Sequence, residues 1–466
     1  MAEPAKGFVV AGPASGVGKT TVTLALIAAL RRRGLTVQSF KCGPDFIDGG
    51  HHARACGRPS RNLDGWMLSP DVNLRVFSRG TQGADVSVVE GVMGLFDGVD
   101  GTSELGSTAQ MAKLLNLPVV LVVDASQLAR SAAALIKGFE TFDPKLRVAG
   151  VVLNRVAGPA HYRLLREAIE SSCQATLLGY LPGDERIRIP ERYLGLFTAS
   201  EEALADSALT LLGDLAATHI DLERLLQSAS SFSPKSGPRG AIDPQVRIRV
   251  AVARDRAFCF HYEDNFDALR AAGAEIVDFS PLGDRDLPEG VDALYLGGGY
   301  PELYAEQLAR NRDMLEAVRR FADQGDPIYA ECGGLMYLAK KIVTRDQKPF
   351  AMAGVLPLDV HMTDRLVKFG YTEVLLTADC MIGPKGASAR GHSFHCSRIS
   401  GADHVERVYH LRYSLSRQEE SEGFRVTNVL ASYIHLHFLS NPGLATRFVE
   451  HVRSCKGAHL GPQSSC

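Results

Sequence analysis

Phe8-Val-Val-Ala-Gly12-Pro-Ala-Ser-Gly-Val-Gly-Lys-Thr-Thr21 decides the fold of the first half of the chain. The apolar run Phe8 to Ala11 reads as a buried strand, and Thr20 to Arg33, rich in Ala and Leu and followed by Gly34, reads as a helix. The loop between them aims backbone N–H groups and the positive end of a helix at one point, where Gly16 and Gly18 let the backbone approach an anion. Ser15, Gly16, Val17, Gly18, Lys19, Thr20 and Thr21 are the expected ATP-binding residues, with Lys19 reaching the β- and γ-phosphates and the Thr20 hydroxyl on Mg²⁺. Pro13 stands five positions before Gly18, where a glycine is usual, and Gly12 lies one step earlier, so the loop is a variant of the phosphate-loop pattern.

Acidic residues follow other strand patterns. Asp85 to Val89 ends in Glu90 and leads into Gly-Val-Met-Gly-Leu-Phe-Asp97-Gly98, while Val37 to Phe40 delivers Lys41-Cys-Gly-Pro-Asp45-Phe-Ile-Asp48. In open α/β sheets the ligand crevice lies beyond the carboxyl ends of the strands, so these carboxylates are expected near the phosphates, where they bind Mg²⁺ or water on it. A single Asp after a strand is more often a turn former; several beside a phosphate loop favour a site. Further strand patterns at Val119 to Val123, Val148 to Leu153 and Thr176 to Leu181 alternate with helical ones, which predicts an α/β fold with a parallel sheet covered on both faces.

A different chemistry occupies the second half. Pro327 to Ala330 reads as a short strand with Cys332 at its end, and Gly333-Gly334 precede a helical pattern over Leu335 to Lys341. Small residues beside a thiol on a strand-to-helix turn allow the sharp backbone that exposes a nucleophile, and the helix N-terminus favours thiolate. Most of the other cysteines read as buried structural thiols. His435 and His437 lie on one face of an extended segment and are the candidate bases. Ala293 to Leu296 runs into Gly297-Gly298-Gly299, whose N–H groups suit an oxyanion hole.

At 466 residues, 45% hydrophobic, the chain is long enough for two or three domains. The reading divides it into a first, ATP-binding domain at 1–226, a Ser/Pro/Gly-rich linker at 227–245, a second domain carrying the thiol at 246–455 and a frayed tail at 456–466. Lys+Arg 51 against Asp+Glu 53 gives a net charge of −2, with no basic field to argue for nucleic acid. The apolar stretches are too short or interrupted to span a bilayer. Nine cysteines without a C-x-x-C pair argue against a disulfide framework or zinc site and, with no signal-peptide anatomy before Gly7, predict a cytoplasmic location. The oligomeric state stays open, a homodimer included.

From Gly7 to about Arg453 the chain resembles the cobyrinate a,c-diamide synthase family. The resemblance rests on the phosphate loop, Phe40-Lys-Cys-Gly-Pro-Asp-Phe-Ile-Asp48, Val89-Glu-Gly-Val-Met-Gly-Leu-Phe-Asp-Gly98, Leu296-Gly-Gly-Gly-Tyr-Pro-Glu302, Ala330-Glu-Cys-Gly-Gly-Leu-Met-Tyr337 and Ser432-Tyr-Ile-His-Leu-His437. It implies a dethiobiotin synthetase-like first domain and a class I glutamine amidotransferase second domain. The implied reaction phosphorylates a corrinoid carboxylate with ATP, and ammonia from L-glutamine displaces the phosphate, at the c and then the a side chain. By the same resemblance Thr20, Asp45 and Glu90 hold Mg²⁺, Asp48 and Asp97 orient substrate or intermediate, and Asn154 reads the adenine. Cys332 forms a thioester, His435 moves the proton, and Gly298 and Gly299 hold the oxyanion. Glu302 and Glu331 are both open as the third acid.

The chain departs from the family pattern at Gly391-His-Ser-Phe-His-Cys396, where Gly-His-Glu-Phe-His-Tyr is common, and at Tyr193, where a His is common. Rival readings are a hydrogenobyrinate or nickel-sirohydrochlorin enzyme, a cobyric acid synthase, and a P-loop switch ATPase. A switch would have no use for Cys332, and it often carries a lysine where Ala14 stands.

Overall fold

The structure is a computed structural model and describes residues 5–189, 191–192, 195–196, 205–232 and 248–459. The chain divides into two compact units, Met1–Pro238 and Arg239–Cys466.

The first unit is built on β1 (Ala5–Ala11), β2 (Val37–Cys42), β3 (Arg61–Leu63), β4 (Val86–Glu90), β5 (Val119–Asp124), β6 (Val148–Val156) and β7 (Thr176–Pro182), in the order β3-β2-β4-β1-β5-β6-β7. These seven strands pair in parallel. Most read as unbroken apolar runs because both sheet faces are covered. Helix α1 (Lys19–Arg32) leads from β1 to β2 on one side, whereas the chain after β4 crosses to β5 on the other. The loops leaving the neighbouring strands β1 and β4 therefore diverge, which opens a crevice at their carboxyl ends. Val22, Leu26, Ala29 and Leu30 of α1 join the core with Leu212 and Ala216 of helix Asp206–His219. A Cβ on Gly213 would lie 3.1 Å from Ala28 Cβ, so the missing side chain sets the helix approach.

Two composition readings shift here. Residues 227–232, expected to open a linker, instead finish helix Leu222–Ser228 and form β8 (Ser230–Phe232), which pairs antiparallel with Ala5–Gly7. Pairing with β1 supplies the order that the Ser-rich sequence does not advertise. The rest of the expected linker lies outside the described residues. At the other end, helix Gly443–His459 carries residues 456–459 of the expected tail, and the remainder is outside the described residues.

The second unit has a ten-stranded sheet. Its parallel half consists of β9 (Ile248–Ala253), β10 (Ala274–Phe279), β11 (Ala293–Leu296) and β12 (Ile328–Glu331); its other strands are β13 (Lys368–Leu376), β14 (Ser388–His395), β15 (Glu406–Tyr413), β16 (Glu419–Val426), β17 (Val429–Ser432) and β18 (His435–Leu436). The order is β10-β9-β11-β12-β17-β16-β15-β13-β14-β18. It is parallel through β17 and antiparallel beyond. A four-stranded side sheet joins Lys341–Val343, Pro349–Ala351, Asp359–Met362 and Ser397–Ser400. The helix expected over Leu335 to Lys341 spans Gly333–Leu338, and Lys341 starts a strand. Pairing of Lys341–Val343 with two side-sheet strands overrides the local helical pattern.

Candidate active sites

In the first unit the phosphate loop closes β1 onto α1. Gly16 and Gly18 have φ of 79° and 92°, a left-handed backbone that glycine adopts without strain. A Cβ on Gly18 would sit 2.0 Å from Asn154 Nδ2. That nitrogen donates to Val17 O at 3.0 Å, so the Asn154 amide, expected at the adenine, braces the loop from the end of β6. Arg155 beside it donates to Gly16 O at 3.0 Å. Ser15 and Gly16 form the exposed tip, while Lys19 is buried. Lys19 Nζ donates to Ala14 O at 2.8 Å and Met93 O at 2.7 Å. Burial, and then the neighbouring Lys41, lower its pKa.

The acidic residues form a network rather than a ring of open ligands. Glu90, fully buried at the end of β4, accepts from Thr20 Oγ1 at 2.8 Å and Lys41 Nζ at 2.9 Å, and its second oxygen lies 2.6 Å from His52 Nε2. Lys41 also pairs with Asp48 at 2.6 Å. Burial works against charge on Glu90, but Lys41 and His52 outweigh it and hold the carboxyl far below its ordinary range. Beyond the metal role expected of Glu90, both its oxygens meet protein donors, so it also anchors Lys41, His52 and Thr20. Asp45, the other carboxylate expected on Mg²⁺, also has a local structural part. Its Oδ1 accepts from Ile47 N at 2.7 Å and Asp48 N at 3.2 Å, two N–H groups in the first turn of α2 (Ile47–Cys56), and burial together with the Asp48 carboxylate pushes it up to about 7. Asp97 is exposed and accepts from Gly94 N at 2.7 Å. It shapes the turn whose Met93 carbonyl holds Lys19. Thr20 and Glu90 still offer hard oxygens side by side, the donor type that Mg²⁺ takes. Among the described residues no three His, Cys, Asp or Glu side chains form a metal cage, and Mg²⁺ carried by nucleotide phosphates needs none.

In the second unit Cys332 occupies the turn between β12 and helix Gly333–Leu338, with φ 47° and ψ −99°. A left-handed φ at a non-glycine residue stores strain, and here it is held by Cys332 N donating to Ser432 O at 2.7 Å. The neighbouring glycines leave little or no room for a side chain. A Cβ on Gly334 would lie 2.2 Å from Leu296 O, and one on Gly333 would lie 3.0 Å from Gly299 N. The elbow thus rests directly on the Gly298–Gly299 peptide. Burial, reinforced by the Glu302 carboxylate, raises the thiol pKa, against the Gly333 N–H that lowers it.

His435 meets the same peptide from another direction. A Cβ on Gly298 would fall 2.2 Å from His435 Cε1, with Nδ1 and Nε2 almost equidistant at 3.2 and 3.1 Å, so the Cε1 edge of the ring points at the glycine. Nδ1 faces Glu331 Oε2 at 3.9 Å, beyond direct hydrogen-bonding range. Burial, then the imidazoles of His392, His261 and His395, push His435 well below its usual pKa. Glu331 itself accepts from Tyr329 OH at 2.7 Å, Leu436 N at 3.0 Å and Tyr295 OH at 3.1 Å, while burial lifts it to about 7. His437 is buried elsewhere: its Nδ1 accepts from Leu439 N at 3.3 Å and its ring packs 4.5 Å from Tyr262. The expectation for Gly298 is corrected. Its N–H donates to Phe260 O at 3.2 Å and is already spent, which leaves Gly299 and the helix-terminal Gly333 as the amides beside the thiol.

Family models match both units: a CobQ/CobB/MinD/ParA nucleotide binding domain over residues 8–196 and a CobB/CobQ-like glutamine amidotransferase domain over 249–443. Cobyrinate a,c-diamide synthase of Priestia megaterium is 42% identical over 97% of this chain and 97% of its own. The proteins of that name from Syntrophotalea carbinolica, at 44% over 96% and 98%, and Listeria monocytogenes, at 42% over 94% and 98%, are as similar. The chain belongs to the cobyrinate a,c-diamide synthase family. It is therefore a glutamine-hydrolysing, amide-forming ligase that uses ATP as co-substrate.

Within this family member, the parts played by several site residues escaped the sequence. Lys41 was visible at a strand end beside Asp45 and Asp48, a place where a buried lysine has partners. His52 had no local signal, since a helical histidine is ordinary. Glu331 is set apart from Glu302 by its position opposite His435 Nδ1, which only the fold supplies. Gly333 could have been found from the general rule that the residue after a nucleophile donates to its oxyanion. Tyr193 lies outside the described residues.

Proposed function

We propose that the protein amidates the c and a carboxylates of cobyrinate, using ATP to form an acyl phosphate and ammonia released from L-glutamine, in cobalamin biosynthesis. The observation that carries this is the pairing, in one chain, of a lysine-bearing phosphate loop with a strained cysteine elbow abutting a glycine peptide and a buried histidine.

A carboxylate resists attack by ammonia until one oxygen becomes a phosphate. Lys19 and the loop amides stabilise the γ-phosphoryl group as it passes from ATP, releasing ADP, to a substrate carboxylate oxygen. Bound Mg²⁺, which the Thr20 hydroxyl would hold with Glu90 on it or on its water, supplies neutralising charge there. Lys41, fixed by Asp48 and Glu90, adds a second buried cation beside Lys19. Ammonia then attacks the acyl carbon and inorganic phosphate leaves. In the other unit His435 Nε2 takes the Cys332 proton as Sγ attacks the glutamine side-chain carbonyl. Gly299 and Gly333 N–H groups hold the oxyanion, and the proton passes to departing ammonia. Water then hydrolyses the thioester to glutamate. Glu331, whose Oε2 lies 3.9 Å from Nδ1, bounds the imidazole on its far side. The eight cysteines among the described residues are all free, and no described helix is long and apolar enough to cross a membrane; both fit work in the cytoplasm.

The test is mass analysis after incubation with ATP, Mg²⁺, glutamine and cobyrinic acid, with hydrogenobyrinic acid and nickel sirohydrochlorin in parallel. Two successive acid-to-amide shifts on cobyrinic acid are expected. Cys332→Ala is expected to keep them only when ammonium salt replaces glutamine, and Lys19→Ala to lose them with either nitrogen source. Amidation confined to another ring would refute the substrate assignment.

A further inference from the structure

Gly391 and His392 belong to the string in which this chain departs from its family, and they touch the glutaminase centre directly. Residues Gly391 and His392 of β14 pair with Leu436 and His435 of β18. A Cβ on Gly391 would lie 2.2 Å from His435 O, so only glycine lets the strands approach this closely. That approach lays the His392 ring on the His435 ring, centroids 4.8 Å apart and planes 15° apart. His392 is itself held: its Nδ1 is 2.9 Å from Tyr262 OH, and Tyr262 packs on His437 at 4.5 Å. The His435 imidazole therefore has two walls. Gly298 blocks movement along the Cε1 direction, and the near-parallel, stacked His392 ring blocks rotation about the Cβ–Cγ bond.

We infer that His392 is a positioning residue for glutamine hydrolysis, whose flat ring, braced by Tyr262, holds the His435 imidazole at the angle that receives the Cys332 proton. This rests on the amidotransferase reading given above. The role belongs to the ring's shape: a planar side chain of similar size replaces it, and an aliphatic one does not. Because His392 acts on proton transfer and does not contact glutamine in this reading, its loss falls on kcat and leaves KM in place.

The experiment measures glutamate release by the full chain with ATP and cobyrinic acid, for wild type, His392→Ala, His392→Leu and His392→Phe, alongside thermal melting. His392→Ala is expected to lower kcat by about tenfold to a hundredfold, the cost of a misplaced reacting group, with KM for glutamine within about threefold. His392→Leu, which fills the space without a flat face, is expected to fall as far, and keeps the test decisive if the alanine variant unfolds. His392→Phe is expected to recover most of the loss. Wild-type kcat in His392→Ala or His392→Leu, a loss confined to KM, or a folded His392→Phe as slow as His392→Leu would each overturn the inference. A wild-type chain that releases no glutamate would overturn the amidotransferase reading, and this inference with it.

Discussion

Replacing Gly298 with alanine tests whether the glycine loop sets the position of the catalytic base. The new methyl would lie 2.2 Å from His435 Cε1, whereas non-bonded carbons settle at about 3.5 Å or more. The imidazole must therefore retreat by about 1.3 Å. Little space receives it, because His392 stacks on its face and Glu331 stands beyond Nδ1. Gly298 lacks the positive φ of Gly299, at 156°, so alanine meets no backbone penalty and the clash alone is read. A displacement near 1 Å at a reacting group costs on the order of a hundredfold, or about 2.7 kcal/mol of transition-state stabilisation. Glutamate release is expected to fall by that factor in a coupled glutamate dehydrogenase assay, while ATP-dependent amide formation from ammonium salt stays within about twofold of wild type. Glutaminase kcat/KM within about threefold of wild type would refute the geometry of the His435–Gly298 contact.

Lys41→Met strands the buried Glu90 and Asp48 carboxylates without their shared cation. Breaking a buried pair in this way costs about 3–5 kcal/mol, so the melting transition of the first unit should drop by roughly 6–20 °C; an unchanged transition would show the network is dispensable. Glu331 titrates near 7 in the fold against 4.5 ordinarily, so the folded chain keeps a proton that the unfolded chain releases, and this contribution is complete below pH 4.5 and lost as pH rises through 7. Glu331→Gln, which can still accept from Tyr329 and Leu436, removes that dependence, and its stability relative to wild type is expected to rise between pH 5 and pH 8 by up to about 3 kcal/mol; a constant difference across that range would refute the burial argument.

The strand, loop and helix around Lys19 were legible because one local string carries all three, and the parallel sheet was legible because doubly buried strands read as unbroken apolar runs. Cys332 was legible for the same reason, its small neighbours being adjacent in sequence. Partnerships across the sheet were not. Nothing near Glu90 announces Lys41 or His52, which reach it from β2 and α2, and nothing near His435 announces His392 or Glu331, which arrive from β14 and β12. Gly298 shows the limit from the other side. Its glycine identity reads as a free amide, but the reason for it is the imidazole edge it accommodates, and its N–H is consumed by Phe260. Sequence identifies which residues carry chemistry when spacing along the chain is the constraint; it is silent where the constraint is spacing across strands.

The two sites use burial in opposite senses, and each suits its chemistry. Around the phosphate loop, buried charges persist because they are paired: Lys41 stays protonated between Asp48 and Glu90, and Glu90 stays ionised between Lys41 and His52. A site that must stabilise a highly charged phosphoryl group benefits from cations already fixed in place, since no reorganisation is then required as charge moves. Around the thiol, burial strips charge instead. Cys332 is pushed toward the thiol and His435 toward the neutral imidazole, so the resting pair carries no ions. On the mechanism proposed above, the proton leaves Cys332 as sulfur attacks the bound carbonyl, and the negative charge moves on to an oxyanion facing the Gly299 and Gly333 amides. Nucleophile formation is thereby tied to the presence of the amide to be cleaved, which limits idle reaction of the thiol.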